Sequence, residues 1–282
     1  MQRVAFSAIE IRSSRFASWA RPLRRVLFGL FVVQFALVWS RLWLAPSLLG
    51  NARWPEGLLV VLATATTLAS LARQLPGQNV MLASVVIVVS AGAVQTLDAF
   101  LSIPFGGCHY HVDRIGPKLF EPLPWAAPVI WLVAILNSRG VARLILRPWR
   151  KTRTYGFWVM GITVLLVVLF DVGLEPFATR VKQYWQWDWA RARLPVDWYG
   201  TPLTTFLGWA VTSLIILAFV TPALINKKPV KHPPDYQPLA LWVMLNVLFL
   251  TGSAAQHLWL AAGVTAIVAA TVAVFAVHGG RW

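Results

Sequence analysis

Asp171 and Glu175 are the two residues whose type and spacing best suit acid catalysis. Four residues make about one helical turn, so both side chains point to one face of a helix, which Pro176 is expected to end. Two carboxylates this close repel each other, so in an apolar setting we expect one to keep its proton. A protonated carboxyl group is what a general acid requires. The alternative is a structural helix end, where the acid pairs with an arginine of the next loop such as Arg180.

Two further ionisable residues, Arg41 and Asp98, lie like Asp171 about four or five residues inside the end of an apolar run. At ~1.5 Å per residue, all three share a depth of less than about 10 Å below a membrane interface. Ionisable groups inside a membrane are costly and often mark function. We expect Arg41 to pair with Asp98 or Asp171, which leaves the other aspartate protonated. The alternative is that Arg41 extends its side chain to the lipid headgroups.

A cluster of alternating polar residues, His109, His111 and Asp113, follows Cys108. Alternate residues of an extended segment share one side, so this spacing is compatible with a metal site that His257 could join. The alternative is an interfacial loop with hydrogen-bonded imidazoles.

An aromatic run, Tyr184, Trp185, Trp187 and Trp189, lies in the next long loop. It is compatible with an amphipathic segment at the membrane interface. We favour that interpretation, and the alternative is the wall of a site that holds an apolar or cationic group.

The elements that position these residues are expected to be membrane-spanning helices. Apolar residues make up 58% of the 282 and charged residues only 12%, with a mean hydropathy of +0.64. An ordinary soluble domain has roughly 25% charged residues. The chain is therefore neither an ordinary cytosolic domain nor disordered. One cysteine excludes a disulfide framework, and without a phosphate-binding loop, GxGxxG or a nucleophile elbow nothing supports nucleotide binding.

Eight apolar runs approach the ~20 residues that cross a membrane as a helix. The sequence predicts an all-α, polytopic transmembrane helix bundle, with a basic N-terminal segment 1–25 and a single transmembrane domain 26–282. The predicted spans are 26–46, 57–73, 79–103, 123–137, 156–175, 202–225, 239–255 and 258–278.

The distribution of charge predicts the orientation. Of the 25 Lys and Arg, 17 lie on the side that holds both termini and seven on the other. Positive residues concentrate on the cytoplasmic side, so we expect both termini in the cytoplasm of a multi-pass protein of the cell inner membrane. The net charge of +15 is placed as topology determinants, which argues against nucleic acid as a partner. The acids concentrate in or beside the outer loops 104–122 and 176–201.

Three stretches resemble the membrane carotenoid biosynthesis protein family, which includes carotenoid 1,2-hydratases of the gamma-carotene type and bisanhydrobacterioruberin hydratase. The resemblance covers roughly residues 80–225. The stretches are Pro104-Phe105-Gly106 through His109-Tyr110 to Gly116-Pro117-Lys118-Leu119; Asp171-Val172-Gly173-Leu174-Glu175-Pro176-Phe177-Ala178 with Tyr184-Trp185-Gln186-Trp187; and Tyr199-Gly200-Thr201-Pro202-Leu203 with Phe206-Leu207-Gly208-Trp209.

The resemblance implies a carotenoid end-group hydratase that adds water across the terminal C1–C2 alkene of a linear carotenoid taken from the lipid phase. Such an enzyme needs no cofactor and no metal. In that reading Asp171 donates the proton, and Glu175 is its coupled partner or the base that orients water. The two roles could be exchanged, because coupled carboxylates titrate as a pair, and Asp98 and Asp113 are reserve candidates. The residues expected to bind substrate are Tyr110, Trp185, Trp187, Trp209 and Thr205. The alternative is a non-catalytic carotenoid-binding or assembly subunit of a larger membrane complex, and other carotenoid enzymes are possible partners of either.

Overall fold

The structure is a computed structural model that describes residues 2–43, 54–103, 105–188, 197–225 and 233–282, with side chains from Pro22 onwards. Pro104, Trp189 and the basic residues of 227–231, all of which entered the sequence predictions, lie outside the described residues.

Nine α-helices occur in the described ranges, and eight of them are long and apolar enough to cross a membrane. This confirms the predicted all-α, polytopic bundle. The ninth, α4, is a single turn between two of the strands. The helices are α1 (Gln2–Trp43, with its span at Pro22–Trp43), α2 (Trp54–Ala72), α3 (Gly77–Leu101), α4 (Val112–Ile115), α5 (Ala126–Ile145), α6 (Tyr155–Pro176), α7 (Leu203–Val220), α8 (Gln237–Ala255) and α9 (Trp259–Gly280).

The outer surface of the bundle is apolar, as the lipid environment requires. Large side chains such as Met81, Phe157, Phe219 and Ile267 are exposed on four different helices. Water would make such a surface aggregate, whereas lipid solvates it. The placement of both ends of the chain on the cytoplasmic side stays a prediction.

Helix α5 lies at the centre, where it packs against α2, α3, α6, α8 and α9. The predicted end of this span at residue 137 is wrong, since the helix continues through Arg139 and Arg143 to Ile145. Both arginines find partners at the helix end. Arg139 donates to the carbonyl of Leu224 (2.9 Å) and Arg143 to the side chain of Gln74 (2.7 Å). The helix therefore continues past Arg139 and Arg143 instead of ending before them.

Three short antiparallel ribbons gather at one end of the bundle, which we call the strand end. It is formed by the loops from α3 to α5 and from α6 to α7. The paired strands are β1 (Cys108–Tyr110) with β4 (Trp185–Trp187), β2 (Lys118–Phe120) with β3 (Leu123–Pro124), and β5 (Asp197–Trp198) with β6 (Thr201–Pro202).

Candidate functional site

A cavity lies at the strand end, between α3, α5, α6, α7 and the β1–β4 ribbon. Two carboxyl groups and a majority of aromatic or aliphatic side chains line it, and we call it the carboxyl cavity. Its lining residues are Gln95, Asp98, Phe105, Cys108, Tyr110, Ala127, Ile130, Trp131, Leu174, Glu175, Trp185, Trp187 and Trp209.

The β1–β4 ribbon supplies four of these residues because strand side chains alternate between the two faces. Cys108 pairs with Trp187 and Tyr110 with Trp185, and these four side chains line the cavity. The intervening pair, His109 and Gln186, is exposed on the other face. The aromatic run had two interpretations, an interfacial segment and the wall of a site. The position of Trp185 and Trp187 in the cavity lining fits the second.

Glu175 is anchored in the cavity wall by three donors that all converge on Oε2. They are the indole Nε1 atoms of Trp187 (2.9 Å) and Trp185 (3.2 Å) and the hydroxyl of Thr201 (2.8 Å). The residue is 1% exposed. Three fixed donors on one oxygen hold the carboxyl group in one orientation, and no hydrogen bond from the described residues goes to Oε1.

Pro176 shapes the backbone directly after Glu175. Proline has no N–H, so it cannot bond the carbonyl four residues earlier, and that carbonyl, of Val172, accepts the indole N–H of Trp198 (3.0 Å) instead. The chain continues as a π-helical turn at Phe177–Val181, a feature frequent at functional sites. The expected helix end at Pro176 is therefore a change of helix type, which leads the chain into the aromatic strand β4.

Asp98 lies near the end of α3 and is 2% exposed. Its Oδ1 accepts the backbone N–H groups of Phe105 (2.8 Å), Gly106 (3.0 Å) and Gly107 (3.4 Å). Consecutive backbone N–H groups that point at one atom form a site for negative charge. The loop thus favours a carboxylate at this position, and Asp98 in turn fixes the loop.

Aromatic rings form much of the remaining wall. Trp131 of α5 and Trp209 of α7 stack with ring centroids 3.9 Å apart and an interplanar angle of 10°. Phe105 packs against Trp131 at 6.0 Å, and Tyr110 meets Trp185 edge-on at 6.2 Å. Aromatic faces attract positive charge, so the wall suits a group that becomes cationic.

Sequence reasoning missed two polar groups of the cavity. The Oε1 atom of Gln95 is buried and has no hydrogen-bond partner among the described residues. Its position three residues before Asp98 on the same helix was a signal that could have identified it. The second group is the thiol of Cys108. Burial, with the nearby charges of Glu175 and Asp98, raises the pKa of this thiol well above its usual range, so it is a neutral part of the wall.

Other predicted site residues lie away from the cavity lining. Asp171 is fully buried one turn before Glu175, and neither of its carboxyl oxygens has a hydrogen-bond partner among the described residues. Asp113 is exposed on the short helix α4. Thr205 is buried and donates to the carbonyl of Phe105 (3.0 Å), so it supports the loop that binds Asp98.

The expected pairing of Arg41 with Asp98 or Asp171 is wrong. Arg41 pairs with Glu56, with 3.4 Å between Nη1 and Oε2, and Lys182 bonds the other oxygen of Glu56 at 2.7 Å. The estimate of depth along each helix omitted Glu56, which stands in the first turn of α2 and reaches the same level. Because the N–H groups of a loop already surround Asp98, it needs no cation.

The histidine cluster does not come together as a metal site. No group of three or more His, Cys, Asp or Glu side chains suited to a metal ion occurs in the described parts of the chain. The strand β1 ends at Tyr110, and Asp113 lies on the short helix α4. The extended spacing that would have put His109, His111 and Asp113 on one side therefore does not continue through the cluster.

A polar cleft of about 830 Å³ lies on the other side of β4. Trp185 and Trp187 line this cleft as well as the carboxyl cavity. His111, Arg114 and Arg180 are exposed residues of its lining. Two tryptophan side chains therefore separate a water-facing cleft from the buried carboxyl groups.

The fold and the cavity define a multi-pass membrane protein with a carboxyl-bearing, aromatic-walled site near one end of its helix bundle. The chain belongs to the carotenoid biosynthesis protein family, whose sequence pattern it matches over residues 56–273. The match is wider than the resemblance found at residues 80–225 and gives the protein a role in carotenoid biosynthesis in the membrane. No curated protein and no solved structure matches the chain.

Proposed function

We propose that this protein is a carotenoid end-group hydratase, which adds water across the terminal C1–C2 alkene of a linear carotenoid. The observation that carries the proposal is the pair of buried carboxyl groups, Asp98 and Glu175, in one aromatic-walled cavity. Family membership supports a carotenoid as the substrate. The Lys and Arg residues concentrate in the loops on the side predicted to hold both termini. This distribution supports a location in the cell inner membrane with both termini inside.

The charges in the cavity favour one shared proton. The described lining residues include two carboxyl groups and no Lys or Arg, so ionising both groups in an apolar space is costly. Three backbone N–H groups stabilise the carboxylate form of Asp98. Glu175 accepts three hydrogen bonds as well, all on Oε2. This leaves its Oε1, which receives no hydrogen bond from the described residues, to carry the proton, and we assign the shared proton there.

Protonation of the alkene starts the reaction. Glu175 gives its proton to C2, and the electron pair of the C1=C2 double bond forms the new C–H bond. This leaves a tertiary cation at C1 and a carboxylate on Glu175. The stacked rings of Trp131 and Trp209, with Tyr110 and the indoles of β4, face the developing charge.

Water then completes the addition. The polar cleft shares Trp185 and Trp187 with the cavity, and we assign the water to this cleft. The free Oε1 of Gln95 accepts a hydrogen bond from this water and orients it. As the water oxygen bonds to C1, its proton passes to the carboxylate of Asp98. Proton exchange between the two carboxyl groups or with water restores the starting state, so the sum is alkene plus water to tertiary alcohol.

Asp171 is the rival proton donor, since it is buried one helical turn from Glu175. We prefer Glu175 because it lines the cavity and Asp171 is not among the lining residues. In this account Asp171 acts through Glu175. A protonated Asp171 adds no charge beside Glu175, whereas an ionised Asp171 places a second negative charge there.

Expression in a host that accumulates a linear carotenoid tests the proposal. The parent should yield a hydroxylated product heavier than the substrate by one water. Glu175→Gln should lose this product while the protein is still made, whereas Asp171→Asn should retain part of it. An active Glu175→Gln together with an inactive, folded Asp171→Asn would move the proton donor to Asp171. A parent that binds linear carotenoids and hydrates none would instead be a pigment-binding subunit.

A further inference from the structure

A second cavity, larger than the carboxyl cavity, lies beside it between α2, α5, α6 and α8. We call it the apolar cavity. Its walls are aliphatic and aromatic side chains such as Ala63, Val133, Phe170 and Phe249, which are at most 5% exposed. A buried space with such walls favours an apolar occupant.

Ile130 and Leu174 line both cavities. The two spaces are therefore separated by one layer of side chains, and Leu174 is the neighbour of Glu175 in the chain. A long, thin molecule could reach the carboxyl groups with one end while its remainder occupies the apolar cavity. A compact ligand would occupy only one of the two cavities.

The charged group at the edge of the apolar cavity is already paired within the protein. Glu56 belongs to the lining, and Arg41 and Lys182 each contact one of its carboxylate oxygens. These two ion pairs neutralise the negative charge of Glu56. Apart from Glu56 and the hydroxyl of Tyr184, the lining residues of the cavity are aliphatic or phenylalanine side chains, so the cavity mainly offers apolar surface for burial.

We propose that the apolar cavity is the subsite for the polyene chain of the same linear carotenoid whose end group enters the carboxyl cavity. The inference rests on the proposed function. Burial of the chain supplies affinity at about 25 cal/mol per Å² of apolar surface, and passage between Ile130 and Leu174 sets how far the terminal alkene reaches towards Glu175.

Two neighbouring valines of α2 provide a matched test. Val60 lines the apolar cavity, whereas Val61 is 48% exposed on the lipid-facing surface. Val60→Phe adds a ring inside the cavity, and Val61→Phe adds the same ring outside it. Ala63→Leu, a smaller addition to the same wall, replaces Val60→Phe if that variant does not fold.

The measurement compares two substrates in purified protein: a linear carotenoid, and a short branched alkene with the same terminal double bond and no polyene. Val60→Phe should raise KM for the carotenoid at least ~10-fold, which is ~1.4 kcal/mol, and leave kcat/KM for the short alkene unchanged. Val61→Phe should match the parent with both substrates. Equal effects of Val60→Phe on both substrates, or none on either, would overturn the subsite.

The experiment separates this inference from the proposed reaction. If the parent hydrates neither substrate, the reaction is wrong, and retention of the carotenoid by absorbance after purification still tests the subsite. Val60→Phe should then retain less pigment than Val61→Phe. A phospholipid that co-purifies with the parent and is lost from Val60→Phe, while carotenoid retention stays equal, would assign the cavity to an acyl chain and overturn the proposal.

Discussion

Substitution of Asp98 separates its structural role from its chemical role. Asp98→Ala removes the acceptor of three buried backbone N–H groups, those of Phe105, Gly106 and Gly107. An unsatisfied buried donor costs about 1–3 kcal/mol. With the longest contact, 3.4 Å, counted at the low end, the free energy of unfolding should fall by about 3–7 kcal/mol.

Asp98→Asn should behave differently because its amide oxygen can replace Oδ1 as the acceptor. We expect it to fold with a loss below ~2 kcal/mol. It cannot take a proton from water as a carboxylate does, so hydration should still be lost. Asp197→Ala is the control, since Asp197 accepts one exposed backbone N–H, that of Gly200, at 2.7 Å.

Thermal unfolding of the detergent-purified variants, followed by tryptophan fluorescence, measures these differences. The expected order of stability is parent, then Asp197→Ala close to Asp98→Asn, then Asp98→Ala well below. An Asp98→Ala protein as stable as the parent would refute the structural role of the loop contacts. A folded Asp98→Asn with the parent's product yield would refute its role as proton acceptor.

Two further predictions concern the same loop. Cys108 should react with maleimide much more slowly in the folded protein than after denaturation, because the thiol is buried and its raised pKa keeps it protonated at neutral pH; equal rates would contradict its place in the cavity wall. Gly107→Ala should destabilise by at least ~1 kcal/mol, since Gly107 has φ +85° and an added Cβ would lie 2.8 Å from Oγ of Ser102. Gly161→Ala, whose Cβ meets no atom within 4 Å, is the matched control in the same unfolding assay, and equal losses in the two variants would contradict this reading.

The helical architecture follows from the sequence because lipid imposes a simple rule. A run of about 20 apolar residues must satisfy its backbone internally, and a helix does so. Hydropathy therefore predicts all eight spans. It fails at the end of α5, where Arg139 and Arg143 continue the helix, because hydropathy does not register that a charged side chain at a helix end can reach a partner on a neighbouring helix.

The sequence singled out acidic and aromatic residues of the candidate site but could not predict their arrangement. The carboxyl pair of α6 is visible as a local spacing, yet spacing does not decide whether Asp171 or Glu175 lines a cavity. That depends on β4, which pairs with β1 far away in the chain. The stack of Trp131 on Trp209 likewise joins two helices whose contact no local pattern encodes.

Ion pairing shows the same limit. Counting residues from the end of a helix placed Arg41 at a depth where other charged residues lie. Its partner, Glu56, stands in the first turn of the next helix. The loop N–H groups that satisfy Asp98 are backbone atoms, which any sequence carries. A search for side-chain partners alone could not find them.

The most direct test of the account is the rate at which oxygen from labelled water enters the product. Purified parent protein and Glu175→Gln are each given a linear carotenoid in H₂¹⁸O, and the labelled tertiary alcohol is measured by mass spectrometry. The account predicts labelled alcohol from the parent and a rate lower by ~10²–10⁴-fold in Glu175→Gln, the usual contribution of a general acid. A folded Glu175→Gln protein that labels the product at the parent's rate would contradict it.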